Sequence, residues 1–299
     1  MLSAAERARY SRHLLLPEIG SAGQEKLKAA RVLVVGAGGL GSPASLYLAA
    51  AGIGTLGVID HDRIELSNLQ RQVLFATASL GTSKATAARD RLLSLNPEIA
   101  VQAHDLELRA DNASQIIEQY DLVIDGSDRL ATRYLVNDVC VLLHKPLVSA
   151  AIHRFEGQAM TYVPAQGPCY RCLFPRSADA VAPNCAEAGV LGVLPGILGA
   201  LQAAEALKLV VGIGTPLVGR LLTFDALAMS WQEFNFARRA DCAVCGDSPS
   251  IHSPEESAAA NIDHSATAIK RLEPGQLQAL LQSQALAGAA PVLIDVREA

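Results

Sequence analysis

The sequence is poor in aromatic residues and has no long run of like charge. Only 4% of its 299 residues are aromatic although half are hydrophobic, so the core must be built from Leu, Val, Ile and Ala. No basic block is interleaved with aromatic residues, which argues against nucleic acid as a partner. The net charge is only −5, and nothing in the charge pattern indicates a disordered tail.

The sequence also lacks the features of export and of membrane insertion. Its N-terminus, MLSAAERARYSRHLLLP, carries charges where a signal peptide would need an apolar segment. The longest uncharged stretch, Ala188 to Ala204, contains four glycines and Pro195 and runs on to Glu205 and Lys208. That composition favours a buried helix or a subunit interface over a membrane span. We therefore expect a soluble cytoplasmic protein.

Strand-like and helix-like runs alternate from residue 31 to about residue 149. This alternation predicts an α/β fold, with a Rossmann-like, mainly parallel sheet covered by helices on both faces. After Ala150, the runs GQAMTYV and RLLTFDA indicate antiparallel strands, with a long apolar helix near Ile197 to Val211 between them. The sequence therefore predicts a parallel α/β core that is extended by an antiparallel portion.

Composition divides the chain into three segments. Residues 1–246 form the predicted main domain. Residues 247–268 are rich in Ser, Ala, His, Pro and Glu, which is typical of a linker. Residues 269–299 contain one helix-like and two strand-like runs, too few to enclose a core, and so indicate the beginning of a further domain.

A glycine-rich turn follows the first β-branched run, in the segment RVLVVGAGGLG. Gly36 allows the tight turn, and Gly38 and Gly39 let the backbone approach an anion closely. Gly41 lets the following helix pack against the strand. Backbone N–H groups and the positive end of that helix then face the ligand, so the segment predicts a phosphate-binding loop.

The residues after the next strand distinguish the kind of nucleotide. That strand, TLGVID, ends in Asp60, where a carboxylate would bind a ribose hydroxyl; with the glycine loop alone this suggests an NAD(P) enzyme. Asn68, Arg71 and Gln72 follow in one stretch, and Lys84 opens the next helix. Each alone is typical of a solvated surface residue. Together they favour a triphosphate, which carries more charge than a dinucleotide and needs more cations.

A second acidic group ends another predicted strand, in the segment DLVIDGSD. Asp125 and Asp128 lie there at the carboxyl end of a parallel strand, where α/β sheets bind ligands. Mg²⁺ prefers hard oxygen ligands and shares them with phosphates, so Asp128 is a candidate magnesium ligand. Capping of the helix that begins near Leu130 explains Asp128 equally well.

Four of the six cysteines form two Cys-x-x-Cys pairs: Cys169 with Cys172, and Cys242 with Cys245. Two such pairs supply the four thiolates of a tetrahedral Zn²⁺ site, which here would clip two distant segments together. The alternatives are a disulfide, which a cytosolic protein disfavours, and two unrelated surface pairs. We predict a structural zinc site, because no coordination position is left open.

The two remaining cysteines differ in their surroundings. Cys140 lies within an apolar helical run and is predicted to be part of the core. Cys185 lies in the segment RSADAVAPNCAEAG, whose small and polar residues indicate a loop. A loop thiol is either a nucleophile or an incidental surface cysteine, and the neighbouring acidic residues do not activate it.

These motifs occur in one order along most of the chain: GAGGLG, the acidic strand end, SNLQRQ, the lysine of GTSK, DGSD and the paired Cys-x-x-Cys. Together they resemble the ubiquitin-activating-enzyme-like family and, within it, the MoeB/ThiF adenylyltransferases. The likeness extends from RYSRHLLLPEIG near the N-terminus to CAVCG.

The resemblance implies an enzyme that uses ATP and Mg²⁺ to adenylylate the C-terminal glycine carboxylate of a small ubiquitin-fold sulfur-carrier protein. The carrier would be MoaD-like or ThiS-like, and the pathway molybdopterin, thiamine or related sulfur-transfer biosynthesis. The implied nucleotide-binding residues are Gly38, Gly39, Gly41, Asp60, Asn68, Arg71, Gln72, Lys84 and Asp128. Of these, Arg71, Lys84 and Asp128 would also act in catalysis, and Asp128 would hold Mg²⁺.

Three further expectations come from the resemblance alone. Arg12 matches an arginine that the family delivers to the ATP of the partner subunit, which implies a homodimer. Cys185 matches a loop cysteine that some members use to form a covalent acyl link to the carrier. The final segment, PVLIDVREA, is similar to the start of a rhodanese domain and ends before any loop that could hold the rhodanese cysteine, so no sulfurtransferase activity is expected of residues 1–299.

Two other functions compete with adenylylation. An NAD(P)-dependent oxidoreductase would use the same glycine loop, but it gives no reason for Arg71, Lys84 and the cysteine pairs to occur together. A non-catalytic scaffold for carrier binding would retain the zinc site and the dimer contacts without turnover.

Overall fold

A computed structural model describes residues 1–175 and 189–261, and these belong to the first of the two units into which the chain divides, Met1–Ile262. Its centre is an eight-stranded sheet in the order β3-β2-β1-β4-β5-β6-β7-β8. The strands are β1 Arg31–Val35, β2 Thr55–Ile59, β3 Ala100–His104, β4 Leu122–Asp125, β5 Leu147–His153, β6 Glu156–Tyr162, β7 Arg220–Asp225 and β8 Ser230–Asn235.

Strands β1 to β5 are parallel, and β6 to β8 continue the sheet in antiparallel pairs. β1 pairs with β2 on one side and with β4 on the other, so the connections leave β1 in opposite directions. In sheets of this kind, a crevice opens at the carboxyl ends of the two strands where the order reverses. The predicted mixed sheet is confirmed.

Helices cover both faces of the parallel part, as predicted. Alternate residues of β1 enter two separate cores, because successive strand side chains point to opposite faces. Val32 and Val34 belong to one buried cluster, and Leu33 and Val35 to the other. The helices are α1 Ala4–Arg9, α2 Ser11–Leu14, α3 Gly20–Ala29, α4 Gly41–Ala51, α5 Lys84–Leu95, α6 Ala110–Ile117, α7 Leu130–Leu142, α8 Tyr170–Leu173, α9 Leu194–Val211 and α10 Pro254–Asn261.

Helix α9 is the apolar helix expected near residues 197–211. It alone among the described helices is long and apolar enough to cross a membrane, and half of that stretch is buried within the unit. Its Glu205 accepts hydrogen bonds from the Thr161 hydroxyl and the Leu217 N–H, both at 2.7 Å. A buried carboxylate bonded to the protein in this way is typical of a core helix, and α9 packs on α4, β5 and β6.

Two elements differ from the sequence prediction. β8 was not predicted, because its side chains are mostly exposed and show no alternation. A linker is predicted over residues 247–268, but within it Pro254–Asn261 form a helix, which packs against α6 and α7. Ser257 is fully buried there and donates a hydrogen bond to Asp138 at 2.6 Å. The remaining predicted linker and the segment 269–299 lie outside the described residues.

Candidate active site

A cleft opens at the carboxyl ends of β1, β2 and β4, at the position that the strand order predicts. Seven of the residues proposed from the sequence line it, namely Gly38, Gly39, Asp60, Arg71, Gln72, Lys84 and Asp128. Residues that are distant in the sequence therefore meet at one edge of the sheet.

The glycine loop forms the floor of the cleft. Gly36 has a φ of +86°, a conformation that other residues rarely adopt, and it turns the chain out of β1. Among the described residues, the N–H groups of Gly38 and Gly39 donate to no protein acceptor. Two unsatisfied donors at a helix N-terminus are suited to an anion.

Gly41 has a packing role instead. It does not line the cleft, and a Cβ placed on it would lie 1.8 Å from the Gly36 carbonyl oxygen. Helix α4, which begins at Gly41, can approach the loop this closely only without a side chain. The structure thus supports the packing role of Gly41 that the glycine pattern predicts. It gives no support to a direct contact between Gly41 and a nucleotide.

Asp60 lies at the end of β2, and its carboxylate is held by the backbone. One oxygen accepts the Ala37 N–H and the other the Asp62 N–H, both at 2.8 Å. Burial raises the pKa of Asp60, while the positive charge of Lys84 opposes that rise. The carboxylate is therefore fixed in orientation beside the glycine loop, where it can accept further hydrogen bonds from a ligand.

Lys84 is the buried cation of the cleft, with only 5% of the residue exposed. Its ammonium lies 2.8 Å from the carboxylate of Asp62, which the sequence analysis did not single out. Burial tends to raise the pKa of Asp62, but the hydrogen bond and charge of Lys84 lower it overall. Asp62 therefore holds the Lys84 side chain in place in the cleft.

Arg71 and Gln72 line the same cleft after a 3₁₀ turn at Leu66–Asn68. Arg71 donates to the Ser67 carbonyl at 3.1 Å, which directs the guanidinium. Gln72 is 3% exposed, and its Oε1 has no hydrogen-bond partner among the described residues. A buried polar atom without a partner is costly, and in a cleft it indicates a missing ligand or water.

The loop after β4, residues 125–128, is shaped by Asp125 and presents Asp128 to the cleft. Asp125 is fully buried, and its Oδ1 accepts hydrogen bonds from the Ser127 N–H at 3.0 Å and hydroxyl at 2.6 Å. Asp128 is exposed, whereas α7 begins at Leu130 without a side-chain cap. The capping explanation for Asp128 therefore has no support, and the residue lines the cleft.

Two other proposed residues, Asn68 and Arg12, do not line the cleft. Asn68 is buried outside the lining, and its Oδ1 accepts the Glu65 N–H at 3.2 Å, which closes the 3₁₀ turn. Arg12 is exposed on α2 and does not line the cleft of its own chain. Cys185 lies outside the described residues.

Several cleft residues were missed because no motif marks them. Ile59, Leu106 and Leu108 provide apolar surface in the cleft. Beside them, the Glu107 carboxylate forms ion pairs with Arg109 at 2.8 Å and Arg129 at 2.7 Å. The alternation of Leu106, Glu107 and Leu108 directly after β3 was the available sequence signal.

The four paired cysteines come together away from the cleft, and all four sulfur atoms lie within 4.8 Å of one another. The Sγ atoms of Cys169 and Cys242 are 3.6 Å apart, and those of Cys172 and Cys245 are 3.3 Å apart. Tetrahedral zinc with Zn–S bonds near 2.3 Å separates its sulfurs by about 3.8 Å, so the donor set fits zinc. A backbone N–H, from Arg239, also reaches the Cys172 sulfur at 3.4 Å.

In a comparison with known protein families, the model of the ThiF family matches residues 10–244. A relative from Thermus thermophilus named sulfur carrier protein adenylyltransferase is 53% identical over 250 residues, covering 82% of this chain and 92% of that protein. The adenylyltransferase and sulfurtransferase MOCS3 of Culex quinquefasciatus is 51% identical and covers 84% of this chain.

The probable adenylyltransferase/sulfurtransferase MoeZ of Mycobacterium tuberculosis is 51% identical over 77% of this chain. This chain spans only 58% of MOCS3 and 60% of MoeZ. Among solved structures, the ATP complex of Escherichia coli MccB superposes with a TM-score of 0.70 and 27% identity, over 82% of this chain and 75% of MccB. The three sequence relatives are all named adenylyltransferases, and the superposed MccB structure is a complex with ATP.

Proposed function

Because this chain belongs to the ThiF family, we propose that it adenylylates the C-terminal glycine carboxylate of a small ubiquitin-fold sulfur-carrier protein. The single observation that carries this proposal is the meeting of Asp60, Arg71, Lys84 and Asp128 around one glycine loop. An ATP·Mg²⁺ site requires a carboxylate for the ribose, two cations for the phosphates and a free carboxylate for a divalent ion. These four residues supply all of these groups.

The nucleotide orientation follows from the cleft lining. The apolar surface of Ile59, Leu106 and Leu108 suits the adenine ring, and the Asp60 carboxylate suits the ribose hydroxyls. The N–H groups of Gly38 and Gly39 would bind phosphate oxygens at the start of α4. The cleft thus offers an apolar end for the base and a cationic end for the triphosphate.

In the proposed reaction, a carboxylate oxygen of the carrier attacks the α-phosphorus of ATP. A new O–P bond gives the acyl-adenylate, and the bond between the α-phosphorus and its bridging oxygen breaks to release pyrophosphate. The carboxylate is already ionised, so no protein base is needed. Lys84 and Arg71 neutralise the charge that gathers on the leaving pyrophosphate, which is positioning and electrostatic catalysis.

Asp128 would hold Mg²⁺ together with the phosphates, and the ion would supply additional neutralisation of their charge. The fit rests on Asp128 being exposed and lining the cleft beside Ser127 and Arg129. Asp125 is not an alternative ligand, because its Oδ1 already accepts two hydrogen bonds and the residue is fully buried.

We also propose a homodimer in which Arg12 acts in the partner's cleft. Arg12 is exposed on α2, and the flanking residues fix that helix. The Tyr10 hydroxyl accepts a hydrogen bond from Asn96 at 2.8 Å, and His13 lies 3.1 Å from the buried Gln24 amide oxygen. An exposed arginine on a helix that its neighbours hold in place, outside the lining of its own cleft, is suited to action in the cleft of a partner subunit.

The cysteine cluster is proposed to hold one structural Zn²⁺. Cys169, Cys172 and Cys242 are buried, and Cys245 is partly buried, so four protein thiolates would leave no open position for catalysis. The ion would join the segment around α8 to the segment after β8.

The roles of Cys185 and of residues 269–299 remain proposals from the family likeness. A covalent link between Cys185 and the carrier is not required for adenylylation, because the acyl-adenylate forms without a protein nucleophile. MOCS3 and MoeZ are also named sulfurtransferases, and this chain spans 58% and 60% of their lengths.

Direct detection of the adenylylated carrier tests the proposal. The protein is incubated with ATP, Mg²⁺ and either a MoaD-like or a ThiS-like carrier, and the intact carrier is weighed by mass spectrometry. We expect one added AMP on a carrier with its terminal glycine and none on a matched carrier that lacks it. The family match and the cationic lining favour this outcome over NAD(P)-dependent hydride transfer and over a non-catalytic scaffold.

A further inference from the structure

The two residues between the first pair of cysteines, Tyr170 and Arg171, are both anchored in α7. The Tyr170 N–H donates to the Asn137 amide oxygen at 2.8 Å. The Arg171 Nε lies 2.8 and 2.9 Å from the two carboxylate oxygens of Asp138. The side chains of Arg171 and Asp138 are 3% and 0% exposed, so each charge depends on the other for compensation.

The same face of α7 continues to the nucleotide cleft. The Arg133 guanidinium lies 5.9 Å from the centre of the Tyr170 ring. Burial raises the pKa of Tyr170, and the neighbouring Arg133 charge opposes that rise. Arg133 also donates to the Ser127 carbonyl at 2.8 Å, and its Nε lies 3.4 Å from Asp125. One continuous set of contacts therefore connects the cysteine cluster with residues 125–128.

This connection matters because α7 begins two residues after Asp128. The Arg133 side chain, in the first turn of α7, donates to the Ser127 carbonyl and so ties the beginning of this helix to the loop that carries Asp128. A small rotation of α7 would move both the carbonyl contact and the Asp128 carboxylate. The fork of Arg171 on Asp138 resists such a rotation more than a single-point contact would.

We infer that Arg171 and Tyr170 are positioning residues for the nucleotide site: they hold α7 against the cysteine cluster and thereby fix the loop that presents Asp128. This inference rests on the proposed function, since it assigns the Asp128 loop to the binding of ATP·Mg²⁺. It gives the first Cys-x-x-Cys a role in the reaction although it lies outside the cleft.

The first experiment measures nucleotide binding by calorimetry on the full chain without a carrier, so that no adenylylation occurs. We expect Arg171→Lys, which keeps the charge but loses the fork, to weaken MgATP binding roughly tenfold, within the range for residues that act on a site through intervening contacts. ATP without Mg²⁺ should be affected much less, and the zinc content should not change. Arg238→Lys is the matched control, because Arg238 pairs with exposed Asp247 and contacts Cys245 without reaching α7.

A double-mutant cycle then tests whether Arg171 affects MgATP binding through Asp128. In an Asp128→Asn background, Arg171→Lys should weaken binding no further, because the loop has already lost its ligand. Tyr170→Phe, which keeps the ring and removes the hydroxyl near Arg133, should act in the same direction and serves if Arg171→Lys fails to fold. Unchanged MgATP affinity in folded variants would overturn the inference, as would equal weakening with and without Mg²⁺. If the unmodified chain itself binds no ATP, the proposed function fails instead.

Discussion

Lys84 and Asp62 form an ion pair inside the nucleotide cleft, with the Lys84 Nζ 2.8 Å from the Asp62 carboxylate. The lysine is almost fully buried, while Asp62 is half exposed. The ammonium is therefore positioned before any ligand arrives, and an incoming triphosphate finds a fixed cation that needs little reorganisation.

Replacement of Lys84 is the first test of this arrangement. Lys84→Met should lower carrier-dependent activity on the order of 100-fold, because a preorganised charge at the leaving phosphates is lost. Arg89→Met is the matched control on the same helix, since the Arg89 side chain is 41% exposed and pairs with its neighbour Asp90. Equal losses in the two variants would show that α5, rather than the ammonium, matters.

The dependence of ATP affinity on pH should report Asp60. Because burial raises its pKa above the ordinary value, the carboxylate takes up a proton at a higher pH than a solvent-exposed aspartate. On acidification, ATP affinity should therefore fall as the pH passes through this raised pKa and Asp60 loses its charge. Asp60→Asn should bind ATP more weakly at neutral pH and lack this part of the decline, as measured by calorimetry across pH. A decline of the same size in both proteins would contradict the role of Asp60.

Alanine substitutions at two glycines, Gly41 and Gly196, compare a position where a side chain would clash with one where it has space. Gly41→Ala would place a methyl group 1.8 Å from the Gly36 carbonyl, so it should reduce the free energy of unfolding by about 3 kcal/mol and abolish ATP binding. Gly196→Ala, in α9 with nothing within 4 Å of the new methyl, should be neutral or stabilising by up to about 1 kcal/mol. Chemical denaturation of both variants provides the measurement.

The cysteine cluster predicts one zinc ion per chain. Cys242→Ser should lower the bound zinc and the melting temperature, because one of four ligands is lost. Cys140→Ala removes a buried thiol outside the cluster and should keep the zinc, with only a small loss of stability. Metal analysis by mass spectrometry compares the zinc content of the two variants. One zinc ion per chain in Cys242→Ser would rule out the four-cysteine site.

Cys185→Ser tests whether the first half-reaction needs the loop thiol. Adenylylation forms no bond to sulfur, so we expect unchanged exchange of pyrophosphate into ATP. Any covalent adduct between the chain and the carrier should disappear in this variant. Loss of exchange in a folded Cys185→Ser protein would show that the thiol acts earlier than proposed.

Much of the fold followed from local patterns. β1 and β2 are the short, buried, β-branched runs that the sequence indicates, and Gly36 marks the turn because its positive φ strongly favours glycine. The seven cleft residues could be proposed together because parallel strands end at one edge of a sheet. Periodicity and turn chemistry are local properties, so one sequence is sufficient to reveal them.

Other features of the fold and of the site depend on tertiary contacts, which local sequence patterns do not reveal. Asn68 lies in the same stretch as Arg71, yet its side chain turns inward to close a 3₁₀ turn. Ser257 lies in a segment with the composition of a linker and is buried only because Asp138 accepts its hydroxyl. Glu107 lines the cleft and pairs with the nearby Arg109 and with Arg129, which comes from a segment about one β-strand further along the chain.

The most direct test of the central claim is the exchange of labelled pyrophosphate into ATP in the presence of a MoaD-like or ThiS-like carrier. We predict exchange that depends on the carrier's terminal glycine, that is abolished in Asp128→Ala, and that leaves the zinc of that variant bound. The account would be contradicted if no such carrier supported exchange while NADH bound tightly to the same cleft.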